Sequence, residues 1–211
     1  MNYYDHPYVS NSDLTALKRE VFNIPLPSQI DKIFAFGSLV DAMCTEEHLV
    51  NYAKMTLQFS PSNVHRYTLE DWNLALAMKK ALISQPYYHA FARVMKPQHE
   101  VYKTISGDYQ GSQWKLKARC KFDLYSKSVA VDLKTTKAKS MSEFINSIDH
   151  FDYDRQAAWY MDLAGVNWFW ILGVSKFNQK VFPFAICKGD KTYEYGKSKY
   201  NYLAYHYNLY F

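Results

Sequence analysis

Glycine and proline are scarce in this sequence, at 7 each among 211 residues, and cysteine is scarcer still at 3. So few chain breakers exclude a collagen-like or low-complexity chain. Cys44, Cys120 and Cys187 are odd in number and far apart, so neither a disulfide framework nor structural zinc is expected. No apolar run approaches the roughly 18–20 residues a bilayer span requires. The opening "MNYYDHPYVSNSDL" also lacks the basic start and apolar core of a secretory signal. A reduced, cytoplasmic protein without a membrane partner is the expectation. A phosphate-cradling G-x4-G-K-[ST] loop and a serine nucleophile elbow are absent, and the 7 histidines form no H-x3-H or H-E-x-x-H pair.

What remains is ordinary globular composition, 48% hydrophobic and 21% charged, with an unusual 19 tyrosines. The net charge of +5 is unevenly spread: nine basic and three acidic residues lie between Lys103 and Lys139, leaving the rest near neutral. A partner carrying phosphates is the simplest functional use of such a basic segment.

Period changes along the chain indicate one α/β domain over 1–211, with a mostly helical part (1–95), a catalytic sheet and helix (96–190) and an aromatic C-terminal helix (191–211). "SNSDLTALKRE" offers Ser10 or Ser12 as a cap before Leu14, Leu17 and Val21 at helical spacing. A second helix is expected over "KIFAFGSLVDAMCTEEHLV", burying Phe36, Leu39, Val40 and Met43. A third starts at Thr68, with Asp71 at capping-box spacing. "HEVYKTIS", "WKLKARCKFDLYS" and "SVAVDLKTT" read as antiparallel strands, with Gly107 and Gly111 as turn candidates. In "KLKARCKFD" Lys115, Lys117, Arg119 and Lys121 share one face, and Leu116, Ala118, Cys120 and Phe122 the other. A helix "YDRQAAWYMDLAG" ending at Gly165, strands "VNWFWILGVS" and "KVFPFAIC", and a tyrosine-rich helix complete a mixed central β-sheet flanked by helices.

One spacing carries chemistry: Asp123, Asp132 nine residues on, then Lys134. Asp132 and Lys134 point to one side of a strand because side chains alternate. A hairpin turn at Ser126–Ser128 brings Asp123 onto the neighbouring strand. Two unscreened carboxylates about 4 Å apart repel by about 4 kcal/mol at an effective dielectric near 20, unless a proton or cation intervenes. Mg²⁺ suits such a pair, because it takes hard oxygen ligands and retains sites for water and phosphate. Taken alone, D-x-K is equally the pattern of a surface ion pair.

Together, several segments resemble the PD-(D/E)XK nuclease superfamily, and within it the RecE-like (exonuclease VIII) and lambda-exonuclease-like phage recombination nucleases. "KFDLYSKSVAVDLKTT" is similar to that family's central motif, and "YDRQAAWYMD" to its Q-x3-Y helix, with Gln156 and Tyr160. "YVSNSDLTALK" resembles the S-x-S-x-L opening, "FGSLVDAM" the G-x3-H helix, and "YEYGKSKYNYLAY" the closing helix. Glu100 matches an acidic residue on the preceding strand.

The resemblance implies a restriction-endonuclease-like core. It also implies a Mg²⁺-dependent deoxyribonuclease, with Mn²⁺ able to substitute, acting 5′–3′ on duplex ends in phage or prophage recombination. Asp123, Asp132, the Leu133 carbonyl, Glu100 and Asp41 become metal ligands. Lys134 orients water, and Gln156 and Tyr160 attend the substrate. Thr135, Thr136, Lys137, Lys139, Lys117, Arg119 and Lys121 become DNA contacts. The family also implies a homo-oligomer acting beside a single-strand annealing protein. The sequence departs from the pattern at Phe122, where a proline is usual, and at Asp41, where histidine is usual. Asp41 is a hard ligand in place of a nitrogen, and equally the feature of a catalytically inactive DNA-binding or anti-defence protein. A same-fold endonuclease would use the same residues.

Overall fold

A computed structural model describes residues 3–60 and 63–211. Helices α1 (Asn11–Val21) and α2 (Ile30–Thr45) precede a small antiparallel sheet of β1 (Val50–Asn51), β2 (Thr56–Ser60) and β3 (Asn63–Arg66). Helices α3 (Leu69–Ile83) and α4 (Pro86–Val94) lead into the long hairpin of β4 (Lys96–Tyr109) and β5 (Ser112–Tyr125). Then follow β6 (Val129–Thr136), α5 (Met141–His150), α6 (Tyr153–Ala164), β7 (Trp168–Ser175), β8 (Val181–Cys187) and α7 (Lys191–Tyr210). The main sheet runs β4-β5-β6-β7-β8, antiparallel except for the parallel β6–β7 pair that α5 and α6 bridge.

The helix starts follow capping chemistry. Ser10 caps α1 in a reciprocal box with Asp13, Thr68 accepts from the Asp71 N–H, and Ser140 accepts from the Glu143 N–H. Gly165 ends α6 at φ +73°, a left-handed cap that glycine adopts without a Cβ clash. At the β4–β5 turn Gln110 and Gly111 both have positive φ, as a tight two-residue hairpin needs. Gly107, expected in a turn, lies within β4, where an added Cβ would strike Trp114.

Two further departures concern the first 95 residues. The second helix stops at Thr45, and Glu47–Leu49 forms a single 3-10 turn. The β1–β3 sheet interrupts the helical part, with Val50 and Leu57 buried in the same apolar layer as the residues of α2 and α3. Pro86 opens α4 at its first turn, where its missing N–H costs nothing.

Each face of the sheet is buried by its own apolar layer. Leu39, Val40, Met43, Trp72 and Met78 pack with Leu124, Val131, Leu172 and Val174. On the opposite face Phe144, Ala157, Trp159, Tyr193 and Tyr200 pack with Phe122, Ala130, Phe169 and Ile171. Burying each large side chain contributes about 1.5–3 kcal/mol, so both layers are needed to hold the sheet flat against its helices.

Phe122 and Leu124, two residues apart, belong to opposite layers, so β5 rotates at Asp123. Facing it in register, Gln98 of β4 has φ +49°. This local twist falls where the acidic residues gather.

Candidate active site

The β5–β6 ladder pairs Tyr125 with Ala130 and Leu124 with Val131, and then stops. The next step in that register would set Asp123 against Asp132. Instead the strands part, and Asp123 Oδ2 accepts the Leu133 N–H at 2.6 Å, replacing a backbone acceptor with a carboxylate. Beyond the fork, the edge freed on β5 is taken by the N-terminal segment. Val9 N donates to Lys117 O at 2.9 Å, and Arg119 N to Val9 O at 2.8 Å. The fork is therefore a fixed opening in an otherwise continuous sheet.

Five elements, β4, β5, β6, α2 and α6, deliver side chains into it. Asp132 and Lys134 come from β6, with Lys134 Nζ 2.7 Å from Asp132 Oδ2. From α6, Gln156 Nε2 donates to Asp132 Oδ1 at 2.7 Å. Tyr160, one turn further on the same helix face, packs edge-on against Phe122 at 5.2 Å between centroids. Tyr153 lies under Lys134, its ring centroid 5.1 Å from the ammonium. From α2 comes Asp41, hydrogen-bonded by Thr45 Oγ1 at 3.0 Å and by Gln98 Nε2 at 3.1 and 3.3 Å.

Electrostatically the cluster is short of positive charge. Burial, with Glu46 and Asp132 adding repulsion, pushes Asp41 up to about 6 in spite of its Thr45 and Gln98 hydrogen bonds. Burial first, and then the charges of Asp41 and Asp132, raise Asp123 well above the usual carboxylate range. Lys134 is held above its ordinary value because Asp132, Tyr153 and Asp123 outweigh its own desolvation. Ionised, Asp41, Asp123, Asp132 and Glu46 face, among the described residues, only Lys134 and, at 3.8 Å from Glu46, Lys121. The deficit is two charges, that of one divalent cation.

Whether such an ion suits these residues can be judged from the donors themselves. All are hard oxygens, which select Mg²⁺ or Mn²⁺ over softer metals. Asp132 Oδ2 is buried and has the Lys134 ammonium beside it at 2.7 Å. Among the described residues no group of three or more His, Cys, Asp or Glu side chains is placed to hold a metal as it stands. Mg²⁺, however, is commonly held through one or two carboxylates, with water and phosphate completing its shell. The Asp123–Asp132 pair fits that mode.

The structure separates other candidates from this group. Glu100 is exposed and accepts from the Tyr102 hydroxyl at 2.8 Å, away from the carboxylates. Arg119 is 7% exposed, its guanidinium donating to Tyr3 O and standing 3.9 Å from Asp13, so it fastens the N-terminal segment instead of facing DNA. Thr136 is buried, its hydroxyl accepting the Ala138 N–H at the strand end. Lys121 is turned to Glu46, while Thr135 is half-buried and Lys117, Lys137 and Lys139 remain exposed.

Gln98, Thr45 and Tyr153 join the site without having been expected. Thr45 stands one turn after Asp41, a visible signal. The "KPQ" before the expected strand gave none, since the positive φ that aims Gln98 inward is a tertiary feature.

This arrangement of strands, acids and lysine agrees with the comparisons. Residues 18–192 match the PDDEXK-like domain of unknown function (DUF3799), and the chain belongs to that family. Within the PD-(D/E)XK superfamily it has the expected mixed sheet flanked by helices. Two solved structures are similar over most of their length. One is a phage related exonuclease from Haemophilus somnus 129PT (14% identity, TM-score 0.43, covering 98% of this chain and 96% of that one). The other is SSO0001 (11% identity, TM-score 0.35, covering 90% and 83%). Both likenesses are too distant to carry an argument about activity. No curated protein matches. No helix among the described residues is long and apolar enough to cross a membrane.

Proposed function

We propose that this protein is a Mg²⁺-dependent deoxyribonuclease, with Mn²⁺ as a substitute, that degrades double-stranded DNA from its ends as a 5′–3′ exonuclease. The observation that carries the reading is the gathering of Asp41, Asp123 and Asp132, where burial and mutual repulsion raise Asp41 and Asp123, around the single lysine Lys134 paired to Asp132. Polarity and duplex-end preference rest on the resemblance of the motif order to RecE-like nucleases. So do the homo-oligomer, a single-strand annealing partner, a cytoplasmic setting and a role in phage recombination.

Asp123 and Asp132 would hold the ion with the Leu133 carbonyl, and Asp41 would close the acidic side. When bound, a divalent ion supplies Lewis acidity toward water and toward the phosphate oxygens. The chain's own residues do the positioning. Gln156 fixes one oxygen of Asp132 and Lys134 stands against the other, while the Leu133 N–H fixes one oxygen of Asp123. Lys134, anchored on Asp132 and stacked on Tyr153, presents N–H donors to an attacking water and offsets charge gathering on the phosphate. Burial raises the Tyr160 hydroxyl, keeping it a neutral donor for a phosphate oxygen. Lys117, Lys137 and Lys139 offer sequence-independent phosphate contacts.

The test is cleavage of linear and covalently closed circular duplex DNA in Mg²⁺ or EDTA, beside Asp132→Ala. Mg²⁺-dependent loss of linear DNA alone, abolished in the variant, supports the exonuclease. Nicking of circles assigns an endonuclease. No cleavage of either, in Mn²⁺ as well, refutes enzymatic activity.

A further inference from the structure

Arg155 is 1% exposed, a guanidinium buried as deeply as the apolar core, and the chemistry described so far leaves it without a task. It stands on α6 immediately before Gln156. Successive helical positions turn by about 100°, so the two side chains point to different partners. Gln156 donates to Asp132 in the fork, whereas Arg155 is turned to α1. Its Nε donates to Asn11 Oδ1 at 3.1 Å and its Nη2 to Thr15 Oγ1 at 2.6 Å, with Nη1 3.6 Å from Asp152 Oδ2. Lys18 of α1 meets that same Asp152 oxygen at 2.6 Å. From α7, Lys199 stands 3.3 Å from Asp152 Oδ1 and 2.8 Å from Asp154 Oδ2, and a Cβ added at Gly196 would strike the Asp154 carbonyl. Asp152 enters the helix at φ +55°, its carboxylate turned to these cations instead of to the helix N–H groups.

Stability does not account for this arrangement. Burial lowers the Arg155 pKa despite the charges of Asp152 and Asp154, so the neighbours do not make good the lost water. An apolar side chain of similar volume often serves as well or better in such a place. What a guanidinium adds is direction. Its planar set of N–H donors is satisfied at one rotation and one height of the helix, whereas Ala157, Ala158 and Trp159 pack without a preferred angle. Helix α1 is in turn fastened to β5, the strand of Asp123, through the Val9 pairing and the approach of Asp13 to Arg119 at 3.9 Å. Arg155 therefore ties the helix of Gln156 to the strand of Asp123, two sides of the same fork.

We propose that Arg155 is a positioning residue for the nuclease site: bonded to Asn11 and Thr15, it sets the rotation of the first turn of α6 that holds Gln156 on Asp132; this rests on the nuclease reading above.

The experiment measures kcat and KM on linear duplex DNA in Mg²⁺, beside unfolding in urea, for the parent, Arg155→Met, Thr15→Val, Gln156→Ala and the Arg155→Met, Gln156→Ala double variant. Arg155→Met should lower kcat about ten- to a hundredfold, the scale of a misplaced group, and leave KM within about twofold. Its urea midpoint should stay at or above that of the parent. Thr15→Val removes the acceptor from the α1 side, and should lower kcat in the same way by a smaller factor. In the Gln156→Ala background the Arg155→Met loss should vanish, because the group being positioned is gone. Unchanged kcat in both Arg155→Met and Thr15→Val overturns the proposal. So does a loss that adds in full to that of Gln156→Ala, or one that follows a fallen urea midpoint; each leaves the nuclease reading intact as long as the parent cleaves. Should Arg155→Met fail to fold, Thr15→Val alone and with Gln156→Ala decides by the same criteria. A parent that cleaves nothing, in Mn²⁺ as well, overturns both.

Discussion

Helix α6 presents two faces that handle buried acid in opposite ways. Toward α7, Asp162 accepts the Tyr193 hydroxyl at 2.6 Å and the Tyr200 hydroxyl, and meets Lys188 and Lys197 at 2.9 and 3.4 Å. At the start of the helix, Asp152 and Asp154 share Lys18, Lys199 and Arg155. Toward the fork, Gln156 and Tyr160 face acids with one lysine between them. Burial raises Asp162 less than its tyrosine hydrogen bonds and lysines lower it, whereas Asp41 and Asp123 end above the usual range. Asp162 and Asp152, whose partners outweigh burial, hold helices together, whereas burial leaves Asp154 above its usual value beside Lys199. Acids left short of partners are held in place for something that arrives from outside.

The largest expected effect breaks the second class. Asp132→Ala removes the carboxylate on which both Lys134 and Gln156 converge, and cleavage should fall by at least about a thousandfold, the scale of removing a principal electrostatic group from an active site. A gel assay on linear duplex reads this directly. Cleavage within tenfold of the parent would take Asp132 out of the chemistry. Folding should survive, because Ala130 and Val131 anchor that strand in both apolar layers.

Those layers were largely legible in the sequence, and the reason is periodicity. The alternation of Leu116, Ala118, Cys120 and Phe122, the stripe of Phe36, Leu39, Val40 and Met43, and the caps at Ser10 and Thr68 all reappear. The spacing of Asp132 and Lys134 likewise fixed their common side. What stayed hidden depends on contacts between distant segments. Arg119 looked like one more exposed member of a basic face, until the Val9 segment covered that part of β5. Glu100 carries the expected charge, but Gln98, two residues earlier with a left-handed backbone, is the residue aimed at Asp41. Short strands β1–β3 lacked enough length for period alone to announce them.

Next in size is Asp162→Asn. It removes a charge that two tyrosines and two lysines surround, so unfolding free energy should drop by about 2 kcal/mol, the scale of hydrogen bonds to a charged group. The depressed pKa gives the sign with pH. The unfolded chain takes up this proton first as pH falls, so Asp162 stabilises above the ordinary carboxylate value near 4 and loses that contribution as pH drops through its lower folded value. Parent and variant melting curves should therefore converge toward strongly acid pH. Parallel curves would mean that the Asp162 cluster does not hold α7 to α6.

Asp123→Asn should do the reverse. The amide oxygen can still accept the Leu133 N–H, while one uncompensated buried charge disappears, so the metal-free protein should gain about 1 kcal/mol and lose activity. Adding Mg²⁺ sharpens the contrast. Binding only to the folded state at a hundred times its dissociation constant stabilises by about 2.7 kcal/mol, so the parent should melt higher with Mg²⁺ than with EDTA. Asp123→Asn should show little of that shift, and Asp162→Asn all of it. Equal shifts in all three proteins would place the ion elsewhere.

Gln98→Gly should have the smallest effect on stability, because two terms oppose. A non-glycine residue at φ +49° costs about 1–2 kcal/mol, which glycine relieves. Glycine also gives the unfolded chain more freedom and leaves Asp41 and Thr45 without the Gln98 amide, worth about 1 kcal/mol in the other direction. Net stability should stay within about 1 kcal/mol of the parent. Cleavage should nevertheless fall about tenfold, because Asp41 is released into a fork already crowded with acid. Gln98→Ala keeps the backbone cost and loses the amide, so it should match the glycine variant in activity while being the less stable. If both variants cleave like the parent, Asp41 needs no support from β4, and the twist at Gln98 and Asp123 serves only to part the strands.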